Sequence, residues 1–519
     1  MRADFTWHLG SHDFKFGGEY LKDLHTGWWM NVARGRISFA SLPTDIERRF
    51  PLDAWNNASR WDLTGLDASA LFYEAFFAEE GGQQRGNCPN PAGCGNWSLD
   101  IPRPQWGVWF GDTWRVSSRL TVNYGARYDL DLGAMAPPLV GETDVIIDNG
   151  LFTENVGYRN DIKDFNNVSP RAGFNYDVSG NGGLVIRGGA GLFYSTLHSN
   201  PTFDQQLWNG QRVLTNTFRN DGRPGFVRDP TRGITGEDVV SGRVPLPPQG
   251  VYLFNHDHQL PAAFQTVIGV QKQLGQSMSV DADLTHARNY DIQSSIDSNL
   301  FYDPATGYNK PLATFGRPRP DYGQLRYRSS DAKTEELKLA TSFTRRFRDN
   351  WQAGLTYTLM LVGEATTSDN PFCRQCEWGL ASDFQRHTFR ANGIYQLPFD
   401  ITVAGAYFYG SGNPYQGTWS WNPFGSGAGT RLRPDGSLIP RNNLQGESIH
   451  KVDIRATKEI ALFGSVKLSG IAELFNVFNH ANYGSYTGTE NSVNYQKPVQ
   501  NLATAYTPRS GQLAFKLSF

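Results

Sequence analysis

Two groups of side chains in this sequence have types and spacings that could perform chemistry. His256, Asp257 and His258 are consecutive, and two imidazoles this close could bind one metal ion. Their segment has the composition of a loop, so we interpret them as solvated loop residues. Asp281 and Asp283 share one face of a predicted strand, as paired acid–base carboxylates would. We interpret that face as lining a polar lumen, where both carboxylates meet water.

Four cysteines form two close pairs, Cys88 with Cys94 and Cys373 with Cys376. Both pairs lie among Pro, Gly, Asn and Gln, which are loop residues. An even number of cysteines in loop pairs favours two disulfides formed in an oxidising compartment. One zinc site is the alternative, although the spacing of the first pair exceeds the usual gap of two to four residues between zinc ligands.

Aromatic residues concentrate in one Asn- and Gly-containing loop, at Tyr415, Trp419, Trp421 and Phe424. They could stack on a sugar or on a siderophore ring, but packing within the loop is the interpretation we favour. The sequence contains no His-Glu-x-x-His, Gly-x-Ser-x-Gly or phosphate-binding-loop motif. It therefore predicts no catalytic residue, no cofactor, no resident metal and no enzyme activity.

Composition narrows the class of protein further. The 519 residues carry 48 Lys and Arg against 50 Asp and Glu, a net charge of −2 that gives no indication of nucleic-acid binding. No stretch approaches the ~18 apolar residues of a transmembrane helix. The first residues contain no apolar signal-peptide core. For a protein that must be exported, this predicts that the natural N-terminus is missing from the sequence.

Alternation of apolar and polar residues is the main structural signal, and it predicts about 17 long β-strands. Between 120 and 130, for example, Leu120, Val122 and Tyr124 alternate with Thr121 and Asn123. The predicted strands are 2–9, 12–22, 28–40, 66–78, 104–116, 120–130, 166–178, 183–196, 261–274, 278–290, 333–347, 351–359, 384–397, 399–411, 451–457, 466–474 and 513–519. Most have the ~9–11 residues or more that a tilted strand needs to cross a bilayer.

The connections between these strands alternate between tight turns and long segments. Seven long segments are predicted, and a compact soluble domain rarely carries so many. They lie at 79–103, 132–165, 197–260, 291–332, 363–383, 412–446 and 480–507. Short periplasmic turns and long extracellular loops are typical of outer-membrane β-barrels, whose apolar face meets lipid and whose polar face lines the lumen. Several aromatic residues near strand ends suit interfacial girdles: Trp28, Trp29, Trp106, Trp109, Trp114, Tyr407 and Tyr409.

The last strand is the most specific of these signals. Leu513, Phe515, Leu517 and Phe519 form one apolar face that ends in an aromatic residue at the C-terminus. This arrangement resembles the C-terminal strand of bacterial outer-membrane barrels, where it is part of the signal read by the barrel-assembly machinery. An amphipathic edge strand of a soluble sheet is the alternative.

Several motifs resemble TonB-dependent outer-membrane receptors of the Oar-like group, in order and over nearly the whole chain. They are GSHDFKFGGEY at 10–20, GDTWRV at 111–116 with LTVNYGARY at 120–128, SPRAGFNYDV at 169–178 with GLVIRGGAGLFY at 183–194, and AELFNVFNH at 472–480. The resemblance implies a 22-stranded barrel with an N-terminal plug, a TonB-contacting segment and a carboxypeptidase-regulatory-like domain. We recognise none of these last three in the sequence, so we expect residues 1–519 to form one N-terminally truncated barrel domain.

The resemblance implies an all-β receptor-transporter of the Gram-negative outer membrane that takes up a bulky extracellular ligand of unknown identity. Its partners would be outer-membrane lipid, the barrel-assembly machinery and, only through the missing segments, TonB. A passive porin-like channel is one alternative. A soluble secreted all-β protein, either a carbohydrate-binding module or a hydrolase, is the other.

Overall fold

A computed structural model shows an almost entirely β-stranded protein. Among the described residues, no helix has the length and apolarity needed to cross a membrane. The structure describes residues 1–28, 36–39, 45–54, 57, 60–64, 71–80, 83–86, 98–132, 144–147, 156–159, 164–196, 204–205, 207–210, 213–223, 225–226, 228–234, 238, 243–255, 258–305, 307–365, 378–419, 431–499 and 507–519.

Twenty-five strands are present in the described part of the chain. In chain order they are β1 Arg2–Leu9, β2 His12–Trp28, β3 Arg36–Phe39, β4 Leu71–Glu80, β5 Gln83–Gly86, β6 Ser98–Arg115, β7 Leu120–Asp131, β8 Asp144–Ile147, β9 Val156–Arg159, β10 Val168–Asp177, β11 Leu184–Tyr194, β12 Val213–Arg219, β13 Val251–Asn255, β14 Ala262–Leu274, β15 Met278–Asp297, β16 Leu325–Arg348, β17 Trp351–Ala365, β18 Gly379–Leu380, β19 His387–Leu397, β20 Ile401–Gly410, β21 Pro414–Tyr415, β22 Leu444–Gln445, β23 Ile449–Phe463, β24 Val466–Phe475 and β25 Ser510–Ser518. Short helices lie at Ile46–Arg49, Leu52–Ala54 and Leu312–Phe315.

One sheet of 19 strands dominates the molecule. Its long strands pair antiparallel with their neighbours along the chain, from β1 with β2 to β24 with β25. All but two of the predicted strands are long strands of this sheet, so the predicted large antiparallel all-β fold is confirmed. Tight turns join the strands at one edge, as at Gly10, Gly275 and Gly464, where a positive φ favours glycine.

The two exceptions, 28–40 and 66–78, contribute to a separate four-stranded sheet. In that sheet β4 pairs with β3, β5 and β12, and a small core forms around the buried side chains of Tyr73 and Phe226. These residues come from long connections at the edge opposite the tight turns. The connections therefore form folded structure there, with a core of their own.

A second small core joins other parts of the long connections to the main sheet. β13 pairs in parallel with the first residues of β16, and it pairs antiparallel with β9. Val251, Leu253, Leu325 and Tyr327 are buried together there. Because β16 has 24 residues, it continues past the crossing part of the sheet and carries this core.

The register of the main sheet separates an apolar face from a charged face. In β14, Phe264, Ile268 and Val270 project to one side and are 40–55% exposed, whereas Gln265 and Gln271 project to the other. Neighbouring strands are paired so that the faces match, as where Ile268 lies opposite Leu284. We call the apolar side the outward face and the charged side the inward face.

Candidate functional site

Charged side chains of three strands, β1, β2 and β7, meet on the inward face. Arg127 on β7 donates to Asp129 at 2.8 Å and also to Glu19 on β2. Arg2 on β1 donates to Asp4 at 2.8 Å and lies 3.8 Å from Glu19. Because each guanidinium has carboxylate partners, these arginines are fixed in place across the strands.

Trp109 on β6 lies between the two arginines of this network. The guanidinium carbons of Arg2 and Arg127 are 4.9 and 5.2 Å from its ring centre, within the range of cation–π attraction. A Cβ on Gly17 would come 2.6 Å from the indole, so the ring can lie flat on β2 only because that residue is glycine. The arrangement holds a large aromatic surface rigidly inside the sheet.

The prediction that Trp109 belongs to an interfacial girdle is wrong. Trp106 and Trp114 do lie on the outward face, where they are 50% and 38% exposed. Trp109 differs from them by an odd number of positions, so in a strand it must face the opposite side. The odd spacing between Trp109 and the other two tryptophans is the sequence feature that could have placed Trp109 on the inward face.

A second arginine group follows on β10, β11 and β15. Arg171 lies over the ring of Phe193, with its guanidinium carbon 5.0 Å from the ring centre. Arg187 donates to both carboxylate oxygens of Asp283 at 2.8–2.9 Å and lies 3.8 Å from Asp281. The predicted inward position of the two aspartates is correct, and the structure adds that both lie beside one arginine.

A cavity of about 970 Å³ lies against this part of the wall, over β1, β2, β6, β7, β10, β11, β14 and β15. Its surface combines the aromatic rings of Trp109 and Phe193 with the guanidinium groups of Arg127 and Arg171. Asp4 and Asp13 also line the cavity, so its surface carries both signs of charge and can hold a polar molecule with planar groups. Among the described residues, no group of three His, Cys, Asp or Glu side chains could hold a metal ion.

The long loops near the C-terminus are tied together by specific contacts. Tyr415 stacks on Tyr486 with ring centres 5.3 Å apart, and Arg433 donates to Glu490 at 2.6 and 2.7 Å. The Arg433 hydrogen bonds hold the pKa of Glu490 below its ordinary value, and burial raises the pKa of Tyr415. Trp419 is half-buried with its indole N–H unpaired among the described residues.

Several predicted residues lie outside the described part of the chain: Cys88, Cys94, Cys373, Cys376, Trp421, Phe424, His256 and Asp257. The two disulfides therefore stay a prediction. For His258 the expectation of a solvated loop is wrong, because this side chain is only 1% exposed and packs edge-on against Phe254. Burial and the nearby charge of Arg328 lower the pKa of His258 to about 4.

The C-terminal strand lies where the alternation predicts. Leu513, Phe515 and Leu517 on β25 face the same side as Leu468 and Ala472 on β24. Their side chains are 55–79% exposed on the outward face, and Phe519 beyond the strand is 95% exposed. The arrangement agrees with a face that meets lipid. Its role as an assembly signal stays a prediction.

A family model described as outer membrane beta barrel domain matches residues 1–426. The chain belongs to this outer-membrane β-barrel family. Its location is accordingly the outer membrane, and the outward face is the one that meets lipid. No match was found among curated proteins.

Solved structures give three comparisons. The outer membrane transporter YddB from Escherichia coli matches with a TM-score of 0.50 and 11% identity, over 99% of this chain and 52% of that one. The ferric-catecholate import receptor Fiu from Escherichia coli K12 has a TM-score of 0.47 and 14% identity, over 99% and 53%. The ferric enterobactin receptor from Pseudomonas aeruginosa has a TM-score of 0.46 and 10% identity, over 98% and 54%.

The chain therefore spans about half the length of the solved structures that it matches. At 11% identity the match to YddB shows a shared fold. The function of this chain has to be argued from its own residues.

Proposed function

We propose that this barrel belongs to a TonB-dependent receptor-transporter of the Oar-like group, which takes up a bulky ligand such as a siderophore, an oligosaccharide or a peptide. The ligand would first meet the extracellular loops and then the inward wall. Tyr415, Trp419, Trp421 and Phe424 are the loop aromatic residues that we propose for the first contact.

Two features of the molecule together support this proposal. The long connections form a folded rim at the edge of the sheet opposite the tight turns, and the inward face of the sheet forms a wall with side chains held in place. The rim has its own cores around Tyr73 and around Val251. The wall holds Trp109 between two arginines beside a cavity of about 970 Å³. A passive pore requires neither a rim with its own cores nor an immobilised aromatic platform, whereas capture of a specific ligand uses both. The match to a protein described as an outer membrane transporter supports the same proposal.

Oar-like motifs imply a plug that fills the lumen and a segment that contacts TonB. We propose that residues 1–519 form the barrel domain of such a receptor, and that the Arg2, Trp109 and Arg127 platform contacts the plug or the passing ligand.

The test is uptake by cells that produce the complete gene product. Radiolabelled ferric siderophores, oligosaccharides and oligopeptides would be offered as a panel, with and without a protonophore and in cells with and without TonB. We expect accumulation of one class, abolished by either treatment and strongly reduced by Trp109→Ala. Val108→Leu, on the outward face of the same strand and outside the lining of the cavity, is the matched control and should transport normally.

A passive porin-like channel would give a different result. Accumulation would survive the protonophore and the loss of TonB, and the complete gene product in planar bilayers would show steady open conductance for small solutes. Either outcome would contradict the proposal of TonB-dependent uptake.

A further inference from the structure

Residues 476–480 form a rigid turn after β24. This turn has no part in the uptake proposed above. Asn476 and Asn479 both adopt the left-handed conformation, with φ of 48° and 52°. The Asn476 side chain is 1% exposed, donates to the carbonyl oxygens of His480 and Thr507, and accepts from the His480 N–H. The backbone N–H of Asn476 also donates to Asp453 at 2.9 Å. These contacts fix the shape of residues 476–480.

The turn projects one large apolar side chain away from the protein. Phe478 is 77% exposed and borders a cavity of about 550 Å³ together with Tyr407 and Val452, which lie on the outward face. A rigid backbone that presents an exposed phenyl ring on the lipid side suits contact with acyl chains.

The depth of this turn can be read from β23. That strand has 15 residues, whereas about 9–11 suffice to cross the hydrocarbon layer. His450 is the second residue of β23, at the end that carries the long loops, and its ring lies 5.1 Å from that of His480. The two imidazoles therefore lie near the long-loop end of a strand that is longer than the hydrocarbon layer requires, a position that suits the headgroup region of the outer leaflet.

One guanidinium and two imidazoles lie close to Phe478 at this end of the strand. Arg509 donates from its backbone to the Asn479 side chain at 2.9 Å and from its guanidinium to the Val477 carbonyl at 3.4 Å. His450 is hydrogen-bonded to the hydroxyls of Tyr407 and Ser448. Within the described part of the chain, no carboxylate pairs with the guanidinium of Arg509 or with either imidazole. The patch thus combines a guanidinium that has no carboxylate partner among the described residues with an exposed phenyl ring.

We propose that the patch formed by Tyr407, His450, Phe478, His480 and Arg509 binds the headgroup of a phosphate-bearing amphiphile in the outer leaflet. The Arg509 guanidinium donates to the phosphate oxygens, the His480 ring lies beside it, and Phe478 lies among the acyl chains. The charge of the patch, its depth and its outward position together identify this occupant. An exposed phenyl ring would not contribute to binding a free anion, whereas it would contact the acyl chains of an amphiphile.

The experiment measures retention of fluorescent phosphatidic acid by the full chain purified in dodecyl maltoside. Arg509→Gln with His480→Gln should weaken retention roughly tenfold, because charge-assisted hydrogen bonds are lost. Phe478→Ala should also weaken it. Lys516→Gln removes one positive charge from the inward face of β25 and should leave retention unchanged. Circular dichroism and heat-modifiable mobility in gels confirm that each variant is folded.

Two further probes separate the sources of the phosphate. Diacylglycerol with the same acyl chains should be retained far less than phosphatidic acid, and millimolar inorganic phosphate should not displace the lipid. The proposal is overturned if diacylglycerol binds equally well, if inorganic phosphate competes, or if folded Arg509→Gln/His480→Gln protein retains phosphatidic acid as the wild type does.

Discussion

Acid should loosen the extracellular rim through one buried histidine, His258. Its side chain is 1% exposed, and neither ring nitrogen has a hydrogen-bond partner among the described residues. Burial, with a smaller effect from Arg328, lowers its pKa from 6.5 to about 4. In the unfolded rim the same imidazole would titrate near 6.5.

The sign of the effect follows from these two pKa values. Between pH 6.5 and 4 the unfolded rim binds a proton that the folded rim does not bind, so the free energy of unfolding falls as the pH falls. A pKa difference of one corresponds to about 1.4 kcal/mol, so the full loss is about 3 kcal/mol. It is absent above pH 6.5 and complete below about pH 4.

Hydrogen exchange of the amides of Val251–Asn255, corrected for the intrinsic pH dependence of exchange, measures local unfolding of this rim. The variant His258→Leu keeps the site apolar and removes the titrating group. The difference in unfolding free energy between wild type and variant should change by about 3 kcal/mol from pH 7 to pH 4. A difference that stays constant over this range would refute the reasoning, since other titrating groups contribute equally to both proteins.

Three other outcomes are expected. A non-reducing peptide map should link Cys88 to Cys94 and Cys373 to Cys376, and free thiols or stoichiometric zinc would count against this pairing. Phe519→Ala should lower the amount of protein assembled in the outer membrane by more than the loss of its contact with lipid, on the order of 1–3 kcal/mol, would explain. Ser518→Ala should assemble normally. Asp131→Asn should destabilise the barrel by roughly 3 kcal/mol, because it leaves the buried Arg103 guanidinium without its carboxylate. Urea unfolding measures this change, and Asp4→Asn, at an exposed ion pair, is the control and should change the urea midpoint little.

The long strands were predictable because the residues of each strand alternate between apolar and polar according to the face on which they lie. The hairpin of β10 and β11 shows this, since alternation marks both strands and the turn between them contains Gly180 and Gly182 with positive φ. A strand between lipid and a polar lumen must alternate whatever its neighbours are. Local sequence was therefore sufficient for these elements.

The rim was not predictable in the same way. β8, β9 and β13 have only four or five residues each, too few for an alternation signal. β13 pairs in parallel with β16, which lies about 70 residues further along the chain, so its partner is set by the fold. The burial of His258 has the same origin, because the side chains around it arrive from separate segments.

The inward platform shows why candidate sites on such walls are hard to read from sequence alone. Trp109 gains its position from Gly17, which is remote in sequence but adjacent across the β2–β6 pairing. A Cβ at Gly17 would come 2.3 Å from the Ala3 carbonyl oxygen and 2.6 Å from the indole, so it would displace the backbone of β1 as well as the ring. The position of Trp109 thus depends on a glycine in the neighbouring strand. Once strand pairing is known, glycine positions opposite inward-facing aromatic residues mark where a barrel wall holds a ring flat.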